Sequence, residues 1–211
     1  MTITDKEKIL AFLDQMYPDV KGELEYTKDY ELLIAVVLSA QSTDAAVNNV
    51  TREIFKKYST FDSLLTVKEV EFAAYFKKLG LYRNKAKHVY NLLRILKEDY
   101  NGSVPSAKEE LLKLPGVGVK TANVVRAELF KIPEIAVDTH VSRIAKRLGF
   151  AKFSDDVTTI ETKLRKALPT ERYIKTHHQM IHFGRYFCKA QSPQCKKCPL
   201  VDICKEPKKK L

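Results

Sequence analysis

Tryptophan is absent from this chain of 211 residues, and cysteine is absent from everything before position 188. The longest apolar stretch runs only from Leu32 to Leu38, far short of the roughly 20 apolar residues that a membrane-crossing helix needs. No basic amphipathic helix carries exposed Trp or Phe, so binding to a membrane surface is not expected either. The opening segment MTITDKEKIL has no apolar core and carries acids early, which argues against a secretory leader. Fixed-period repeats, low-complexity tracts, long linkers and alternating strands around a hairpin turn are all missing. The expectation is a cytoplasmic protein, with no membrane partner.

Helical periodicity is present almost everywhere. Hydrophobic residues make up 45% of the chain, enough for one large or two small domains with a real core. Ile9, Leu10, Phe12, Leu13, Met16 and Tyr17 recur at helical spacing before Pro18. Leu32 to Leu38 is apolar nearly all round, as in a central buried helix. Val47, Val50 and Ile54 share a face, and so do Ala86, Val89, Tyr90, Leu93 and Leu96, ahead of Asn101-Gly102. Ser106 and Glu109 have the spacing of a capping box. Ile144 and Leu148 precede a stop at Gly149, and Ile160, Leu164 and Leu168 line another face. The predicted fold is all-α with short connections.

Lys and Arg total 37 against 26 Asp and Glu, a net charge of +11. Such an excess favours a polyanionic partner, nucleic acid most often. A generally basic surface would carry the same charge.

The cysteines are Cys188, Cys195, Cys198 and Cys204, spaced C-x6-C-x2-C-x5-C. A reducing cytosol disfavours disulfides. Structural zinc prefers two short pairs joined by a longer loop, and only Cys195 and Cys198 form such a pair. A [4Fe–4S] cluster is a larger object that tolerates uneven arms. Spacing leaves zinc and iron–sulfur evenly matched.

Leu114-Pro115-Gly116-Val117-Gly118-Val119-Lys120-Thr121-Ala122 lies between two helical patterns. Gly116 and Gly118 permit positive φ and remove side chains from the turn. Backbone N–H groups at the following helix start, with the dipole's positive end, suit a phosphate. Downstream comes Ala136-Val137-Asp138-Thr139-His140-Val141, where Asp138 is placed to cap a helix.

The set L-P-G-V-G-x-K-T-A, V-D-T-H-V and the four-cysteine pattern resembles the bacterial endonuclease III family. The stretches Leu38 to Asp44, Gly80 to Ala86 and His177 to Cys188 resemble it as well, and the likeness runs from about Asp14 to Cys204. It implies a helix-hairpin-helix DNA glycosylase fold with two helical domains flanking a DNA cleft. One would be a six-helix barrel over residues 22–132. The other would join residues 1–21 to 133–211, with the iron–sulfur loop at 188–204. The implied activity is a DNA N-glycosylase and abasic-site lyase of base excision repair, acting on oxidised pyrimidines or abasic sites in double-stranded DNA. It would be a monomer associated with the bacterial nucleoid.

By the same resemblance Lys120 is the amine nucleophile and Asp138 the catalytic carboxylate. The helix dipole and partial burial would both favour the neutral amine of a lysine at position 120. Gln41 and Leu81 would enter the duplex, while Gly116, Gly118 and His140 would meet DNA. Cys188, Cys195, Cys198 and Cys204 would hold one [4Fe–4S] cluster, whose loop carries Lys189, Lys196 and Lys197. Val119 departs from the family pattern, in which a basic residue often precedes the lysine. Adenine-mismatch glycosylases share the hairpin and cluster but lack a lysine at the position of Lys120, and 8-oxoguanine glycosylases usually lack the cluster.

Overall fold

A computed structural model describes residues 2–210. Among them there is no strand, and no helix is long and apolar enough to cross a membrane. The chain divides into two compact units, one spanning Glu23–Phe130 and the other joining the chain up to Gly22 to the chain from Lys131 onward.

The first unit is built around α2 (Asp29–Leu38), whose residues Leu32 to Leu38 are all buried. Each Leu, Ile or Val among them contributes roughly 1.5–3 kcal/mol when fully removed from water. The start of α2 is tied by Glu31, which accepts hydrogen bonds from the Thr27 N–H at 2.7 Å and its hydroxyl at 2.9 Å. Around α2 lie α3 (Asp44–Lys57), α4 (Phe61–Leu65), α5 (Glu69–Tyr75), α6 (Tyr82–Tyr100), α7 (Lys108–Lys113) and α8 (Val119–Phe130). The face read from Val47, Val50 and Ile54 is buried, as are Ala86, Val89, Leu93 and Leu96. Asn101 and Gly102 end α6 at positive φ, and the Gly102 N–H returns to the Leu96 carbonyl at 2.7 Å.

One local expectation is corrected. Ser106 and Glu109 form no capping box: α7 starts one residue later, with Ala107 at its N-cap and no side-chain cap. Glu109 therefore falls one position short of the place from which it could reach back. The Ser106 carbonyl instead accepts from Arg126 Nη1 at 2.9 Å.

The second unit holds α1 (Ile3–Met16), α9 (Thr139–Arg147), α10 (Val157–Ala167) and α11 (Tyr173–His182). Ile9 and Leu13 of α1 pack with Ile144, Ile160, Leu164, Met180 and Phe183 in one core. Asp14 joins α1 to the C-terminal helices through paired contacts to Arg172, both 2.9 Å, and a 3.0 Å bond from Gln179. Gly149, at φ 79°, follows α9 in the stop position. Beyond α11 the helix widens into one π turn, Phe183–Phe187, closed by the Cys188 N–H on the Phe183 carbonyl at 2.7 Å. Such turns often mark functional positions, and this one delivers the first cysteine.

Candidate functional site

The Glu23–Phe130 unit carries the glycine hairpin between α7 and α8. The Val117 N–H bonds the Leu114 carbonyl at 3.1 Å, closing a tight turn with Gly116 at φ 80°. A Cβ on Gly116 would stand 2.9 Å from Val37 Cγ1 and 3.0 Å from His88 Nδ1, so both conformation and space demand glycine. Gly118 differs from the expectation: it is not among the positive-φ residues, and nothing lies within 4 Å of where its Cβ would be. Its bareness serves the open side of the turn, where a ligand backbone could come close. Leu114 and Val117 are buried and anchor the hairpin, while Gly118, Val119 and Lys120 are exposed.

Lys120 occupies the first turn of α8. The partial burial expected for it is absent, since its side chain extends from an exposed helix start. The first N–H groups of α8 have no carbonyl within the helix to bond, which makes them an anion-binding edge beside the lysine.

Gln41 and Leu81 belong to the same unit, and both have left-handed backbones, at φ 55° and 57°. A leucine in this region is an outlier that surrounding structure must enforce. Leu81 is 54% exposed, so its side chain is not part of the core. The turn holding Gln41 is closed by the Ser42 N–H on the Ser39 carbonyl at 3.0 Å. It touches the other turn, because a Cβ on Gly80 would meet the Gln41 carbonyl at 3.2 Å.

The second unit carries Asp138, His140 and the four cysteines. Asp138 is the N-cap of α9, its carboxylate accepting from the Val141 N–H at 2.7 Å. His140 follows in the first turn, with Nδ1 3.2 Å from Arg143 Nη2. Burial pushes the His140 imidazole below its ordinary pKa, and the Arg143 and Arg185 charges add to this, while Asp138 opposes it. Arg143 also donates to the Gly184 carbonyl at 2.8 Å.

Arg147 ends α9 and grips the cysteine segment. Its Nη1 lies 3.3 Å from Cys188 Sγ and 2.8 Å from the Lys189 carbonyl, and its Nε donates to Glu206 at 2.6 Å. The Glu206 N–H lies 3.4 Å from Cys204 Sγ. All four cysteines are free thiols of intermediate burial, which excludes the disulfide reading here. Burial pushes the Cys188 and Cys198 thiols up, and each is raised further by neighbouring cysteine charge. Among the described residues no group of three or more His, Cys, Asp or Glu side chains is set to hold a metal ion. The donor chemistry nevertheless fits a metal or iron–sulfur group: four unpaired thiols on one segment, with N–H donors aimed at two sulfurs. Lys189, Lys196 and Lys197 are exposed on this segment.

Sequence reasoning missed Arg143 and Arg147, whose only signal was a charge pattern common on any helix surface. Nor does the polar run Arg83-Asn84-Lys85 signal in the sequence that Lys85 is buried.

Known proteins resemble this chain along most of its length. Residues 34–170 match the HhH-GPD superfamily base excision DNA repair protein family. Endonuclease III of Bacillus subtilis (strain 168) is 48% identical over 204 residues, covering 97% of this chain and 93% of that protein. A solved non-covalent endonuclease III–DNA complex superposes with a TM-score of 0.93 at 50% identity, covering 98% of this chain and 96% of that one. A trapped endonuclease III–DNA covalent intermediate gives 0.90 at 51% identity, with coverage of 95% and 96%. By sequence and by structure, the chain belongs to the endonuclease III family of HhH-GPD base excision DNA repair proteins.

Proposed function

We propose that this protein is a bifunctional DNA glycosylase and abasic-site lyase that removes oxidised pyrimidines from duplex DNA, with Lys120 as nucleophile. The observation that carries the reading is an exposed lysine in the first turn of α8, directly after a glycine hairpin suited to phosphate. A helix start that grips the DNA backbone brings the sugar to the amine, and holding the two together lowers the barrier by proximity.

The chemistry needs no reagent beyond water. The Lys120 amine attacks C1′ of the damaged nucleotide, and the glycosidic bond breaks, its electron pair leaving with the base, which takes a proton. Ring opening gives an iminium between Lys120 and C1′. Water takes a proton from C2′ as the 3′ phosphate leaves by β-elimination, and a second water hydrolyses the iminium at C1′, returning the Lys120 amine. Asp138 supplies negative charge opposite the cation that develops on the sugar and accepts the lysine proton. Capping α9 fixes its carboxylate beforehand, so little reorganisation is needed during reaction.

The damaged base must leave the stack to be reached. Leu81 wedges between neighbouring bases, and Gln41 hydrogen-bonds the orphaned partner. The hairpin glycines admit the phosphates, and His140 meets DNA.

Cys188, Cys195, Cys198 and Cys204 would hold a [4Fe–4S] cluster as thiolates. When bound, the cluster ties the segment into one folded loop. The chain's own Lys189, Lys196 and Lys197 then stand on that loop to meet phosphates.

A duplex with a single thymine glycol tests the proposal. The expected products are free thymine glycol and a strand broken 3′ to the lesion with an unsaturated aldehyde end. Base release that leaves the strand intact would contradict the lyase assignment, and no release would contradict the whole reading.

A further inference from the structure

Lys85 is 3% exposed, although it lies in a polar run, Arg83-Asn84-Lys85, at the start of α6. A buried ammonium is costly unless it is paired. Among the described residues its side chain makes one hydrogen bond, to Ser42 Oγ at 2.7 Å, and no ion pair. Burial pushes its ammonium below the ordinary lysine pKa. Apolar replacement of buried charged groups is often neutral or stabilising, so stability does not account for a lysine here.

Its position does. The Lys85 N–H donates to the Leu81 carbonyl at 3.0 Å, the first backbone bond of α6, with Leu81 at φ 57°. The Lys85 ammonium reaches Ser42, whose own N–H closes the turn that holds Gln41 at φ 55°. The Gln41 carbonyl lies against Gly80. Leu81, Lys85, Ser42, Gln41 and Gly80 thus form a closed circuit of contacts around two left-handed turns. We infer that Lys85 is a positioning residue that, through Ser42, locks the Gln41 and Leu81 tips into one preformed unit for entry into the duplex. This rests on the reading of Gln41 and Leu81 as the inserted residues. Two independently mobile tips would have to be ordered at the moment of insertion, and a preformed pair avoids that entropy cost.

The test uses a duplex with a tetrahydrofuran abasic analogue beside 2-aminopurine, whose fluorescence rises as the stack opens. Lys85→Met, Ser42→Ala, the double variant and Leu81→Gly are compared in full-length protein. Lys85→Met and Ser42→Ala should each slow the rise by about tenfold, and the double variant should be no slower than Lys85→Met, the non-additivity of groups in one network. Lys85→Met should melt within about 3 °C of wild type, while Ser42→Ala, which leaves the buried ammonium without its hydrogen bond, should melt lower. Normal opening in Lys85→Met with loss in Leu81→Gly would overturn the role of Lys85 and leave the wedge standing. Normal opening in both would overturn both. If Lys85→Met folds poorly, Ser42→Ala decides: normal opening in that variant, or additive losses in a folded pair, overturns the inference.

Discussion

Gln41 and Leu81 share the left-handed backbone region, and both are exposed on turns that touch at Gly80. For a leucine this conformation costs about 1–2 kcal/mol. Leu81→Gly should therefore raise stability by roughly 1 kcal/mol, because glycine adopts this φ freely and an exposed side chain gives up little packing. The same variant should bind lesion-bearing duplex about tenfold more weakly, since the proposed wedge is gone. Thermal melting and a fluorescence titration check the two halves. A variant that is both less stable and equally tight would show that Leu81 serves the fold instead of DNA.

The hairpin glycines make opposite predictions. Gly116→Ala places a methyl 2.9 Å from Val37 Cγ1 at φ 80° and should cost 2 kcal/mol or more, roughly, in strain and displaced packing. Gly118→Ala meets nothing within 4 Å and should leave stability within about 0.5 kcal/mol. A loss of DNA affinity in Gly118→Ala would then report on the ligand's approach alone. Melting curves and duplex binding at a fixed salt concentration separate the cases. Equal destabilisation by both substitutions would contradict the packing described.

Asp138 caps α9 and is the proposed catalytic carboxylate. Asparagine caps about as well as aspartate, so Asp138→Asn should stay within about 0.5 kcal/mol of wild type while base release slows by 100-fold or more, roughly 3 kcal/mol of barrier. His140 gives a second readout. Its pKa is lowered chiefly by burial, and the Asp138 charge opposes that shift. NMR titration should place its midpoint below the ordinary value of about 6.5, and Asp138→Asn should move it lower still. An unchanged midpoint would mean that the carboxylate is not charged beside His140.

Arg147 holds both ends of the cysteine segment through Cys188, Lys189 and Glu206, and its own carbonyl accepts the Lys205 N–H at 2.7 Å. Arg147→Met leaves Glu206 half-buried without its partner and should cost about 3 kcal/mol. Hydrogen exchange should rise across residues 188–206. Unchanged exchange there would show that the segment is fixed by other contacts.

Helix faces were readable from spacing because burial follows a 3.6-residue period, as Val47, Val50 and Ile54 illustrate. The Asp138 cap was readable because aspartate before a helix has one common use. Other features had no local signal. Leucine and glutamine do not announce a left-handed backbone, so the shared conformation of Leu81 and Gln41 emerged only in three dimensions. Nothing in the polar run Arg83-Asn84-Lys85 signals that Lys85 is buried, and only tertiary packing buries it. The box read from Ser106 and Glu109 failed by one residue, since helix starts are set by tertiary partners as well as by caps. The expected burial of Lys120 failed because a residue at the lip of the hairpin faces solvent.

Borohydride trapping on duplex DNA with one thymine glycol tests the central claim most directly, comparing wild type with Lys120→Ala. A covalent protein–DNA band in wild type alone is predicted, because the proposed iminium at Lys120 is the species that borohydride would reduce to a stable amine. A band of equal strength in Lys120→Ala, or none from wild-type protein that still binds the DNA, would contradict the account.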